Sequence, residues 1–247
     1  MPSPTRQRLD LLLTSRGLAR SRSEARDLIL RGAVLVAGRA AGKPAERHAE
    51  DVALQVVAGA SGYVSRGALK LEAALDGFGL SVDGLIALDI GASTGGFTQL
   101  LLKRGARKVY AVDVGHGQLE ASLAADPRVV SLEGQDARRL TRDDIREPPD
   151  FLVADVSFIA LKLALPVPLH LMAERATLVA LIKPQFELGA DALDKRGVVR
   201  DGAGAAVVVD GIAAWLTAQN WHVLGSMPSP LPGREGNQEY LIAARRE

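Results

Sequence analysis

The stretch Leu85-Ile86-Ala87-Leu88-Asp89-Ile90-Gly91-Ala92-Ser93-Thr94-Gly95-Gly96-Phe97-Thr98 decides the fold. Leu85–Ile90 is a short, mostly apolar run and reads as a strand. The glycines after it read as a turn into a helix predicted over Gly95–Arg104. Glycine at a strand-to-helix turn lets the backbone approach a ligand closely. The spacing is G-x-x-x-G-G, not the G-x-G-x-x-G that cradles a dinucleotide pyrophosphate. An ordinary βα turn is the competing reading.

Downstream, Lys108–Val112, Val129–Leu132, Phe151–Asp155 and Leu178–Ile182 repeat the strand pattern. Helical stretches separate them, over Leu119–Ala125, Leu161–Glu174 (interrupted by Pro166 and Pro168) and Ala203–Gln219. Strands alternating with helices predict an α/β fold with a mostly parallel sheet. Runs such as Phe151-Leu152-Val153-Ala154, apolar on both faces, fit central strands. Trp221–Gly225 and Tyr240–Ala244 flank the Pro/Gly-rich loop Pro228–Gly236, which predicts an antiparallel last strand at one edge.

Upstream the rhythm differs. Leu9, Leu12 and Leu13 share a helix face, and Gly17 stops that helix. Ser21 and Glu24 form a capping box ahead of Ala25, Leu28 and Ile29, with Gly32 at the helix end. Short strands are predicted at Ala33–Val36 and Val52–Val57. The small-residue run Ala58–Gly62 marks the domain boundary. At about 150 residues per domain, 247 residues accommodate a small and a large unit.

The chain is 47% apolar and 24% charged, which excludes a disordered or fibrous protein. Its net charge of +1, from 30 basic and 29 acidic side chains, taken whole argues against a nucleic-acid partner. Divided, it says something else: residues 1–60 hold ten basic and six acidic side chains, and the rest hold 20 and 23. A basic head on a mildly acidic body points to nucleic acid. There is no cysteine, hence no disulfide, thiolate metal site or Cys nucleophile. The first residues lack the apolar core of a signal peptide, and no run of about 18 apolar residues offers a membrane span. A cytoplasmic protein is the expectation.

Acidic residues recur at predicted strand ends. Asp113 lies 22 positions after Gly91, where a carboxylate accepts ribose hydroxyls. Asp136 follows the third strand, where it could take an adenine amino group, and Asp89 stands beside the first glycine. Adenosine without pyrophosphate points to S-adenosylmethionine, held by Asp89, Gly91, Ala92, Ser93, Thr94, Gly95, Gly96, Phe97, Thr98, Asp113 and Asp136. No Gly-Lys-Ser/Thr phosphate cradle is present.

Four more charges fall where this sheet would project them inward. Lys70 lies on a helix predicted over Ser65–Leu75, Asp155 and Lys183 close strands, and Glu239 opens the last one. A lysine at the end of an apolar run needs a charged partner, which Asp155 and Glu239 can supply. Such a lysine can help deprotonate a ribose 2′-hydroxyl for in-line attack on a sulfonium methyl. A salt-bridge network that closes the sheet edge is the other reading.

Tyr63-Val64-Ser65-Arg66-Gly67-Ala68-Leu69-Lys70-Leu71, Asp89 to Thr98, and Lys183-Pro184-Gln185-Phe186-Glu187 together resemble the TlyA family. These are hemolysin-A-type bacterial rRNA 2′-O-methyltransferases with an FtsJ-like catalytic domain. The resemblance implies a Rossmann-like class I methyltransferase fold over residues 65–247, a linker over 60–64, and an alpha-L RNA-binding domain like that of a small-subunit ribosomal protein over 1–59. It implies a Lys–Asp–Lys–Glu tetrad at Lys70, Asp155, Lys183 and Glu239. It also implies RNA contacts at Arg6, Arg8, Arg20, Arg22, Arg26 and Lys43. The expected reaction is methylation of a ribose 2′-hydroxyl, of cytidine, in ribosomal RNA within ribosomal subunits, by a monomer with no metal and no membrane role. Where some members carry Arg and Trp in the linker, this chain has Ser61 and Tyr63. Aromatics at 4% favour phosphate and shape contacts over base stacking. The alternatives are a non-catalytic RNA-binding protein and a membrane-active hemolysin.

Overall fold

The computed structural model describes residues 6–19, 21–30, 32–57, 62–200, 202–233 and 236–247. Arg20 and residues 58–61, Ser61 included, lie outside them.

The N-terminal elements are β1 (Arg6–Arg8), α1 (Leu9–Ser15), α2 (Arg22–Leu30), β2 (Val34–Val36), β3 (Arg39–Ala40), β4 (Arg47–Ala49) and β5 (Leu54–Val56). The Ser21 hydroxyl accepts the Glu24 N–H at 3.1 Å, as the capping sequence predicts. After α2, Gly32 adopts φ +70°, and the Ala33 N–H turns back to the Leu28 carbonyl at 2.8 Å. Two small antiparallel sheets result, β1 with β4 and β3-β2-β5. The sequence pattern does not reveal β1, β3 and β4. Each has two or three residues, too few for alternation to show. Leu9, Leu13, Ala25, Ile29, Val34 and Val36 form the core of this unit.

The larger unit contains α3 (Gly67–Gly77), β6 (Ile86–Ile90), α4 (Gly96–Lys103), β7 (Lys108–Asp113), α5 (Ala121–Ala124), β8 (Val129–Glu133), β9 (Phe151–Ala154), α6 (Leu161–Ala164), α7 (Pro166–Leu171), β10 (Ala176–Ile182), α8 (Pro184–Glu187), α9 (Gly202–Ala218), β11 (His222–Pro228) and β12 (Tyr240–Arg246). The helix expected over Leu161–Glu174 is two helices. Pro166 begins the second, at the position where its missing N–H costs nothing.

The sheet order is β11-β12-β10-β9-β6-β7-β8. β8, β7, β6, β9 and β10 run parallel, and β12 runs antiparallel between β10 and β11. The order reverses between β6 and β9, opening a crevice at their carboxyl ends. Ligands bind at such switch points in open α/β sheets.

Strand periodicity divides the core in two. Ile86, Leu88 and Ile90 join Leu152, Ala154, Leu178 and Ile182 under α6, α7 and α9. Ala87, Phe151, Val153, Val179, Leu181, Leu241 and Ala243 face the other way, with Ala68, Leu71 and Leu75 of α3 and Leu100 and Leu101 of α4. The smaller unit docks on the larger through Leu231, buried with Ala33, Leu35 and Val57 and packed by Leu69.

Candidate active site

Alternation along the strands carries the site. Asp155 continues the face of Phe151 and Val153, Lys183 that of Val179 and Leu181, and Glu239 that of Leu241 and Ala243. All three project on the side covered by α3. Lys70 lies one residue before Leu71 on the buried face of α3. Four elements thus deliver two ion pairs to one spot. Lys70 Nζ lies 2.5 Å from Glu239 Oε2, and Lys183 Nζ lies 2.6 Å from Asp155 Oδ1. Lys183 also donates to the Ser157 hydroxyl at 2.9 Å. Lys70, Lys183 and Glu239 are buried, at 5%, 8% and 3% exposure. Burial alone would raise the Asp155 carboxyl, but the charges of Lys183, Lys70 and Arg66 outweigh it and hold the group below the usual aspartate range. Lys183 is extended at φ −115°, ψ 95°, as the following Pro184 dictates.

Gly91 sits at the switch point with φ +85°. A Cβ there would stand 2.6 Å from the Asp155 carbonyl oxygen, so only glycine lets the β6 turn and the end of β9 meet. Gly95 likewise holds a positive φ, +95°, as it leads into α4. Gly96 is constrained differently: a Cβ there would strike Ser65, so its lack of a side chain seats α4 against the segment before α3.

Two cavities open from this point. One, of about 840 Å³, runs along the strand ends past Gly91, Ser93, Asp113, Asp136 and Phe158. Asp113 Oδ2 accepts the Ser93 N–H at 2.8 Å and Oδ1 the Gly115 N–H at 2.7 Å, and each oxygen keeps a second lone pair. Asp136 holds Arg138 in a two-pronged pair, which keeps its carboxyl below the usual range. The second cavity, of about 890 Å³, contains all four charged residues and extends to Gly32 and Lys43 of the smaller unit. Ala92, Thr94, Gly96 and Phe97 line this second space.

Asp89, Gly95 and Thr98 line neither cavity. Asp89 shares the parity of Ala87, so it points at α4, where Thr98 donates to its Oδ2 at 2.7 Å. It is fully buried, and Oδ1 has no hydrogen-bond partner. Burial, with the charges of Asp155 and Asp113 added, pushes its pKa up to about 7 against the Thr98 bond.

The residues expected to meet RNA divide into two groups. Arg8 donates to both Asp10 oxygens at 3.0 and 2.9 Å, and Arg22 to Oδ2 at 2.9 Å. Asp10 is fully buried, and its pKa falls to about 2, the Arg8 bonds leading and burial opposing. Arg6 reaches the Arg47 carbonyl at 3.0 Å. Arg26 and Lys43 are exposed. Arg20 lies outside the described residues.

Three residues at the site went unread in the sequence. Ser157 braces Lys183. Arg66 lies against Gly32, where a Cβ would come within 3.3 Å of its Cδ. Phe158 is 90% exposed, holds φ +64° and sits 5.0 Å from the Phe186 ring. A bulky residue in that conformation costs about 1–3 kcal/mol, the kind of strain that clusters at functional sites. Arg66 lies inside a quoted motif, but neither Ser157 nor Phe158 carries a spacing signal.

Residues 63–246 match the family model described as FtsJ-like methyltransferase, and residues 7–47 match that of the S4 domain. The chain is 46% identical over 243 residues to the 16S/23S rRNA (cytidine-2′-O)-methyltransferase TlyA of Mycobacterium tuberculosis, covering 98% of this chain and 91% of that one. It is 40% identical to Hemolysin A of Brachyspira hyodysenteriae, covering 95% and 98%. The solved structure of a protein described as a hemolysin from Streptococcus thermophilus superposes with a TM-score of 0.77 at 38% identity, covering 99% and 90%.

Proposed function

Because the chain belongs to the FtsJ-like methyltransferase family, we propose that it transfers the methyl group of S-adenosylmethionine to the 2′-hydroxyl of a cytidine in ribosomal RNA. The observation that carries this reading is the convergence of Lys70, Asp155, Lys183 and Glu239 at the sheet's switch point, beside a cavity floored by glycine.

The cavity along the strand ends fits the cofactor. Gly91 admits a ligand against the backbone, Asp113 offers two carboxylate oxygens where ribose hydroxyls would lie, and Asp136 stands one strand further on. Asp89 lies below the turn, outside both cavities, and ties the turn to α4 through Thr98. S-adenosylmethionine supplies a methyl made electrophilic by its sulfonium.

The remaining work falls to this chain's side chains. Lys183 is the group proposed to take the hydroxyl proton. Asp155 and Ser157 fix its Nζ in one direction, which keeps the attacking oxygen in line. Lys70, tied to Glu239, supplies a second positive group beside the oxygen as charge develops there. Residues 1–59 form the proposed RNA-binding domain, 60–64 a linker and 65–247 the catalytic domain. Arg26 and Lys43, both exposed, are placed to meet phosphates. The hemolysin reading finds no support in the helices: among the described residues none is long and apolar enough to cross a membrane.

The test is to incubate the protein with methyl-labelled S-adenosylmethionine and each ribosomal subunit separately, then map 2′-O-methyl groups. Label on a cytidine ribose is the expected result. No label on either subunit overturns the proposal.

A further inference from the structure

The segment between β11 and β12 touches three parts of the molecule. Leu231 is buried against Ala33, Leu35 and Val57 of the N-terminal unit. Glu239 ends the segment and holds Lys70. Between them, Asn237 is only 4% exposed and reaches sideways to a third element, the turn between Leu193 and Val199. Its Nδ2 donates to the Gly197 carbonyl at 2.9 Å, and its Oδ1 accepts the Val199 N–H at 3.0 Å.

That turn is a small hairpin. Leu193 and Val199 pair antiparallel, and Asp194 Oδ1 accepts the Arg196 and Val198 N–H groups at 2.7 and 2.9 Å. Its internal bonds set its shape but not its position. Leu193, Arg196 and Gly197 form part of the wall of the cavity that holds the four charged residues, and Arg196 and its neighbour Lys195 are exposed. This wall borders the space in which a ribose would reach Lys183.

The segment carrying Asn237 is anchored independently of the hairpin. The Ser229 N–H donates to the Glu239 carbonyl and the Gly233 N–H to the Asn237 carbonyl, both at 2.8 Å. A Cβ at Gly233 would stand 2.5 Å from Glu239 Oε1, so the loop wraps closely round that carboxylate. Removing the Asn237 amide therefore frees the hairpin while Glu239 stays in place.

We propose that Asn237 is a positioning residue for the RNA substrate: its side-chain amide fixes the basic Leu193–Val199 hairpin against the loop that ends in Glu239, and so sets the width of the cleft leading to Lys183. The inference rests on the methyltransferase reading. It assigns Asn237 no contact with cofactor or reacting atoms.

The experiment is steady-state methylation of the responsive ribosomal subunit by the full chain. In Asn237→Ala, the KM for the subunit rises about tenfold, as expected for loss of two buried hydrogen bonds at a binding wall. The kcat at saturating subunit and the affinity for S-adenosylmethionine stay within about twofold. Asn237→Asp adds a rescue. Its protonated form donates and accepts as the amide does, so its KM relative to that of the unaltered protein falls as pH is lowered from 8 to 5.5. An unchanged KM in Asn237→Ala overturns the proposal. So does loss of cofactor binding in both variants, which would make Asn237 a determinant of the fold. If the unaltered protein labels neither subunit, the methyltransferase reading fails instead, and the two failures are told apart.

Discussion

Two clusters of buried charge invite comparison. In the N-terminal unit, Asp10 is fully buried between Arg8 and Arg22. At the sheet edge, Asp155 and Glu239 hold Lys183 and Lys70. Both clusters hold their charges at hydrogen-bonding distance, the first between residues 2 and 12 positions apart and the second between segments as far apart as Lys70 and Glu239. They differ in the cation. Guanidinium groups keep their proton at any pH a protein meets and grip a carboxylate through a planar fork, which suits them to locking a fold. Lysines present a single nitrogen that can give up a proton. They differ in setting as well, because the lysine pairs line a cavity and Asp10 lines neither of the two cavities at the sheet edge. Buried charge alone therefore does not single out a site. Cation type and access to a cleft are what set the cluster proposed for catalysis apart from the one in the N-terminal unit.

The largest effect should come from the lysine cluster. Lys183→Ala is expected to lower methyl transfer by about 10²–10⁴-fold, measured as label incorporated per minute, with cofactor affinity retained. Lys183→Arg should fail to restore it, since a guanidinium restores charge but not proton transfer. If Lys183→Arg were fully active, the contrast between the clusters would collapse.

The arginine cluster should behave oppositely. Asp10→Ala is expected to cost about 1–2 kcal/mol of stability in denaturant titration, discounted because both arginines reach solvent, with kcat unchanged. The sign of its pH dependence follows from a lowered carboxyl. The stabilisation is present above the ordinary aspartate value of 3.8 and is lost as pH falls through about 2. Acid denaturation of the unaltered protein should therefore show a loss in that window that Asp10→Asn lacks.

Asp89 tests a third situation, a buried carboxyl with no cation beside it. Its pKa is raised to about 7, so the folded state keeps a proton that the unfolded chain releases. Stability should fall as pH rises from about 4 to about 7, and Asp89→Asn should flatten that slope in melting curves.

The smallest effects belong to the surface. Replacing exposed Arg26 and Lys43 with alanine should weaken RNA binding. It should also lower the slope of log K against log salt by about one for each phosphate that the variant no longer neutralises. Replacing Arg8 should change stability more than that slope, since its guanidinium is occupied by Asp10.

Much of this architecture was written in local pattern. The five parallel strands, the antiparallel last strand and the glycine turn after β6 are legible because apolar runs and turn residues report on their own neighbourhood. The projection of Asp155, Lys183 and Glu239 to one face was legible too, because strand alternation is a strict period of two. What the chain alone could not reveal is partnership. Gly96 reads as part of a cofactor turn, and the sequence does not show that its lack of a side chain also lets α4 pack on Ser65. Arg8 and Arg22 read as cations for RNA, yet they share a carboxylate. Asn237 carried no pattern, since its two bonds span 38 and 40 residues. The sequence by itself determined which elements form and which way their side chains point, because those properties arise from residues within one helical turn or one strand. Only the tertiary structure decided which charges meet and which cavity they line. Those pairings join segments far apart in the chain, and their energy exists only once the sheet has assembled.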